Sequence, residues 1–153
     1  MRSEDNYLLE IEGELVSEFR VCQSLFQCMK EERKSLSAPD IGSLFLLIEK
    51  REEILEQLDQ LEMRRLELIH EFAETLDLDL PSPRLSDCLS PLEKPTIEHI
   101  RRLCEGIAAL QDSLCRLGEW NRALANSVLN RDEMIEAFLL NLYPPAHHYR
   151  PPV

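Results

Sequence analysis

An a/d heptad pattern of apolar residues runs almost unbroken from Ile100 to Leu142, and it constrains the fold more than any other feature of the chain. The a positions are Ile100, Ile107, Leu114, Asn121, Val128, Ile135 and Leu142; the d positions are Leu103, Leu110, Leu117, Leu124, Arg131 and Phe138. Only Asn121 and Arg131 are polar. A stripe at that spacing makes a helix that needs a helical partner. Two earlier segments carry the same period. Leu8, Leu15, Cys22, Met29 and Leu36 recur at every seventh position, joined by Ile11, Phe19, Leu25 and Phe26, which predicts an amphipathic helix over residues 5–36. Ile41, Leu44, Ile48, Leu55, Leu58, Ile69, Phe72 and Leu76, with Leu47, Ile54, Leu61 and Leu68 beside them, predict a second helix over residues 41–78. Ser37, Pro39 and Asp40 interrupt the pattern, and Asp40 has the chemistry of an N-cap. So short a break folds the two helices into an antiparallel hairpin.

Residues 79–95 lose the period. Pro81, Pro83, Pro91 and Pro95 forbid a continuous helix there. Ser90-Pro91-Leu92-Glu93 reads as a capping box, which Pro95 limits to about one turn. Thr96 is the expected cap of the third long helix, residues 96–142, which stops before Pro144-Pro145. Residues 143–153 form a short Pro-rich tail. The expected architecture is all-α: a single helical domain over residues 1–153, with an antiparallel hairpin and a third long helix packed as a bundle or coiled coil. No strand pattern and no solenoid repeat competes with it.

The formal net charge is -12, and it is uneven. Residues 1–80 carry 20 acidic against 9 basic residues, whereas residues 81–153 carry 9 against 8. The acidic half repels phosphate backbones and anionic lipid, which argues against nucleic-acid and membrane-surface partners. The near-neutral half is the better place for a protein contact. No run has the length of a membrane span, and the acidic stretch from Met1 to Glu10 lacks the pattern of a signal peptide, so a cytoplasmic protein is expected. Cys22, Cys28, Cys88, Cys104 and Cys115 form no C-x-x-C pair and are odd in number. Packing as small apolar residues accounts for most of them.

Several motifs have both a sharp and a plain reading. Asn121, in the middle of the seam, either fixes register as a buried polar group or rotates towards solvent while Trp120 packs in its place. Gly106 and Gly118 each weaken a helix and suggest close approach of a neighbour or a mild bend. Glu67 and His70 have the spacing of a di-iron half-site, but His99 has Thr96 where a second glutamate would be, so no metal site is expected. His147-His148 lacks a cage of further ligands. The stretch from His70 to Leu76 shows only a faint likeness to a phospho-accepting helix, and no nucleotide-binding segment accompanies it. No nucleophile has a base beside it, and neither an enzyme nor a cofactor is expected.

The third helix, at about 46 residues, exceeds the first, at about 32, by about 14 residues or about 20 Å. Pairing with the hairpin leaves that end over, and it contains Val128, Leu129, Met134, Ile135, Phe138, Leu139, Leu140 and Leu142. Surplus apolar surface of this kind marks a partner site, with an amphipathic helix in a groove as its natural occupant. The plain alternatives are cover by the Pro-rich connector or by a second copy of the chain.

The stretch from Gln27 to Arg33, the turn ending in Asp40, the run from Ile48 to Leu55 followed by Leu58, Leu61 and Arg65, and Leu114 to Leu117 followed by Asn121 and Leu124 lie in the order and spacing of one family. In these features the chain resembles the FlgN family of flagellar type III export chaperones. The resemblance implies a cytoplasmic, non-enzymatic chaperone that holds the C-terminal helical segments of the hook-filament junction proteins FlgK and FlgL. It also implies a client site on the terminal helix at Asn121, Leu124, Val128, Ile135, Phe138 and Leu142. Tyr149 is the positional match for an aromatic that contacts the export gate, although the glycine that tends to follow it is absent here. The competing expectation is a structural or adaptor coiled coil that self-associates into a homo-oligomer through the same seam.

Overall fold

The computed structural model describes residues 2–38 and 40–129. They form four helices: α1 (Glu4–Ser37), α2 (Ile41–Thr75), the short α3 (Leu85–Leu89) and α4 (Pro95–Leu129). No strand occurs among the described residues. The architecture is all-α, with the helices packed against one another. The chain divides into two compact units. Among the described residues one holds 2–22 and 57–109 and the other holds 23–38, 40–56 and 110–129, so each long helix contributes to both.

The helix boundaries follow from local chemistry. Asp40 caps α2 as its side chain suggests: the Ser43 N–H donates to Oδ1 at 3.2 Å and the Ser43 hydroxyl to Oδ2 at 2.6 Å. Those hydrogen bonds hold the Asp40 carboxyl below its ordinary range. α2 ends at Thr75, three residues before the expected Leu78. The cause is a Schellman closure, in which the Leu78 N–H donates to the Ala73 carbonyl at 3.0 Å and the Asp77 N–H to the Glu74 carbonyl at 3.1 Å. Asp77 turns the chain with φ of 55°, the left-handed conformation that usually falls to glycine. An aspartate there also sets a negative charge at the negative end of the helix dipole. Asp77→Asn is therefore expected to raise stability by about 0.3–1 kcal/mol, read as a higher urea midpoint.

The connector differs more from expectation. Its helical turn is α3, and Ser90 closes that turn, its N–H donating to the Ser86 carbonyl at 3.0 Å, instead of opening one. The backbone N–H of Arg84 donates to the Asp87 carboxylate at 2.9 Å. α4 starts at Pro95, one residue before the expected cap Thr96, with proline at the first helical position where its missing N–H costs nothing. The Lys94 ammonium lies 2.5 Å from the Asp5 carboxylate and 3.5 Å from Glu4, tying the start of α4 to the start of α1.

In the first unit, Leu8, Ile11 and Leu15 of α1, Ile69, Phe72 and Ala73 of α2, and Ile97, Ile100 and Ile107 of α4 form one core. Leu85, Cys88 and Leu89 of α3 complete it, so the connector is a packed part of this unit. Tyr7 stacks on Phe72 with ring centroids 5.2 Å apart. In the second unit, Leu36, Leu44, Ile48 and Ala125 cluster, with Leu124 packed against them. The heptad reading of α1 holds throughout: Leu8, Leu15, Cys22, Met29 and Leu36 are all buried. On α4 the buried face is wider than a two-helix seam. Cys104, Gln111 and Ala125, at e positions, are buried, while Leu103, Leu110 and Leu124 at d are only half-buried. A helix that meets two neighbours buries both flanks of its a row, and its smaller residues sit where the neighbours come closest. Gly106 and Gly118 fit that account, since a methyl group at either would meet Phe19 or Met29 of α1 at 3.4 Å.

Candidate functional site

Two charged layers lie inside the units. In the first, Arg65 Nε is 2.9 Å from a carboxylate oxygen of Glu18, and both side chains are almost fully buried. In the second, Arg51 donates to Glu32 at 2.8 Å, with the Glu32 side chain wholly buried. Glu18 and Glu32 are two heptads apart on α1, and Arg51 and Arg65 are two heptads apart on α2. Their spacing therefore matches only in one antiparallel register. Displacement by a heptad sets a buried charge against an apolar d residue such as Leu25 or Leu58, at a cost of several kcal/mol on the order of a broken buried pair. Burial pushes the Glu18 carboxyl up to about 7, against the opposing pull of Arg65. Burial likewise pushes the Cys22 thiol to about 12, and those of Cys28, Cys88 and Cys104 to about 11. Such thiols stay protonated and are poor nucleophiles and poor metal ligands. Cys115, by contrast, is exposed. Packing thus accounts for four of the five cysteines, and Cys115 lies on the exposed side of α4.

Asn121 takes the buried alternative. Its side chain is 1% exposed, and Nδ2 donates to the Met29 carbonyl of α1 at 2.9 Å. Trp120 does not replace it in the core; it remains 60% exposed. Asn121 thereby fixes α4 against α1 within the second unit. Its Oδ1 is buried and has no hydrogen-bond partner among the described residues. Asn121→Leu is expected to raise stability by about 1–2 kcal/mol by removing that unpaired oxygen, measured by urea denaturation, while relaxing the register of α4.

Around Asn121 the supply of neighbouring helix runs out. Leu36 packs at the level of Leu44 and Ala125, and beyond it α1 has only Ser37. On the other side, α2 has only Ile41–Ser43 before Leu44. Ile41, expected in the seam, is exposed for this reason. Leu124 and Val128 are half-buried. Ile135, Phe138, Leu142 and Tyr149 lie outside the described residues. The sequence after Leu129 remains rich in large apolar side chains, and α3 of the connector belongs to the core of the first unit.

His70 is exposed and lies 3.6 Å from Glu74, one turn on, instead of being paired with Glu67. Among the described residues no group of three or more histidines, cysteines or carboxylates is placed to hold a metal ion, and no helix is long and apolar enough to cross a membrane.

The family model described as FlgN protein matches residues 7–147, nearly the whole chain. The chain belongs to the FlgN family. FlgN proteins are chaperones of flagellar assembly and export, and that is the role of this chain. No curated protein and no solved structure matches it. In this FlgN chain the match takes in α1 from Tyr7 onward and the other three described helices, and extends past Leu129 through the sequence positions Ile135, Phe138 and Leu142.

The residues that sequence reading missed are the buried charges. Glu18 and Glu32 occupy d positions of α1, and Arg51 and Arg65 occupy d positions of α2. The available signal was the opposite sign of the charged d residues on the two arms of one hairpin.

Proposed function

We propose that this FlgN chain holds the C-terminal helical segments of the hook-filament junction proteins FlgK and FlgL in the cytoplasm before export. The client lies along the end of the terminal helix, against Leu124, Val128, Ile135, Phe138 and Leu142. The observation that carries the reading is the exhaustion of cover: α1 and α2 end within a turn of the level of Ala125, while the apolar heptads of the sequence continue to Leu142. An amphipathic client helix would bury that stripe and in return keep its own apolar face from assembling early. Neither partner needs ATP for this. Asn121, itself committed to α1, acts here by setting the rotation of α4 and so the direction of the stripe. Tyr149, in the tail, is the residue we assign to the export gate.

The test is co-purification of the full-length chain with FlgK and FlgL, combined with mass measurement of the chain alone over a range of concentrations. A chaperone with a free stripe captures the junction proteins and forms a complex of defined mass. A chain that forms a stable homo-oligomer and captures neither protein is a structural coiled coil, and the proposal fails.

A further inference from the structure

Phe26, Lys30 and Arg33 follow one another at four- and three-residue steps along a single face of α1, within the second unit. The Lys30 ammonium sits over the Phe26 ring, 5.6 Å from its centroid, and the Arg33 guanidinium sits over Trp120 of α4 at 5.0 Å. Trp120 is 60% exposed, although a tryptophan on a helix has more apolar surface to hide than any other residue. In a chain with 29 acidic and 17 basic residues, a lysine and an arginine would be expected to find carboxylates. Neither makes an ion pair with a described residue; both rest on aromatic rings. Arg116, one turn before Trp120 on α4, differs in being paired with Asp112 at 2.7 Å.

From this juxtaposition we infer that Phe26, Lys30, Arg33 and Trp120 form a second docking surface, for an acidic amphipathic helix of a partner protein. The occupant follows from charge complementarity. Two cations without a carboxylate partner among the described residues call for acidic groups, and the exposed part of the Trp120 ring calls for an apolar side chain between them. Tryptophan and arginine are also the residues on which binding energy concentrates. This surface is distinct in its residues from the stripe of Leu124 and Val128, so either assignment can fail without the other.

Trp120 is the only tryptophan of the chain, and its emission reports occupancy directly. The probes are two synthetic helical peptides of about 20 residues, one with leucine on one face and glutamate on the other, the second with lysine for glutamate. With the full-length chain, the glutamate peptide is expected to shift the emission to the blue in a saturable way, and the lysine peptide to leave it unchanged. Raising the salt weakens the interaction, and the double substitution Lys30→Glu with Arg33→Glu lowers the apparent affinity at least about tenfold with helical circular dichroism preserved. Equal responses to the two peptides, no response to the glutamate peptide, or an unchanged titration in the double variant would overturn the inference. An emission shift that follows the concentration of the chain without peptide would assign the surface to a second copy, and would overturn it too.

Discussion

Replacing Arg65 by methionine is expected to cost about 3–5 kcal/mol of stability at pH 8, because it leaves the buried Glu18 carboxylate without its partner. Glu62 lies 4.0 Å from Arg65, and both Glu62 and Glu14 raise the Glu18 carboxyl, so these neighbours add to the cost of its charge instead of replacing the guanidinium. The loss should be smaller at pH 6. With Arg65 in place Glu18 already stands at about 7 instead of the ordinary 4.5; without it the carboxyl rises further and is protonated at pH 6. The sign follows from the folded protein holding this proton more firmly than the unfolded chain does. The stabilising contribution of Glu18 is thus fully present below about 4.5 and is lost as the pH rises through about 7. In the unaltered chain this group makes the urea midpoint fall between pH 6 and pH 8, and Glu18→Gln should flatten that dependence. Replacing both partners, Glu18→Leu with Arg65→Met, should recover most of the stability, since an apolar pair of similar volume replaces a desolvated ion pair without penalty. A double variant no more stable than Arg65→Met alone would refute the assignment of the pair as the cause.

These charges also show where reading the sequence stops. The long helices were legible because leucines and isoleucines repeat with the period of an amphipathic helix, and the hairpin because Ser37 to Asp40 leaves no room for a crossover. A search for apolar a/d residues passes over Glu18, Glu32, Arg51 and Arg65, although these four define the register of α1 on α2. α3 was not legible as a core element. Leu85, Cys88 and Leu89 span little more than one turn, too short to display a period, and prolines on both sides resemble a loop. Ile41 was placed in the seam by arithmetic alone. Its exposure comes from being the first residue of α2, where α1 has already ended. On α4 the pairing with the hairpin was legible, but the a/d pattern alone does not mark the e positions, so the burial of Gln111 and Ala125 came only with the structure. Asn121 was legible as an exception but not in its outcome. Only the approach of the Met29 carbonyl to 2.9 Å decides between core and solvent.

We propose that the role in flagellar export turns on the apolar stripe that the sequence continues beyond Ala125, the level at which Leu36 of α1 and Leu44 of α2 pack. Three polar substitutions, Val128→Asp, Ile135→Ser and Phe138→Ser, remove apolar side chains from it and leave Asn121, Glu32 and Arg51 in place. Each large apolar contact in an interface contributes about 1–2 kcal/mol or more, so together they should reduce client affinity by roughly two to four powers of ten. Titration calorimetry of the purified C-terminal segments of FlgK and FlgL into the unaltered chain and into the triple variant is the most direct measurement. The account predicts saturable binding to the first, none detectable to the second, and the same helical circular dichroism for both. Binding of equal strength to the two would contradict it.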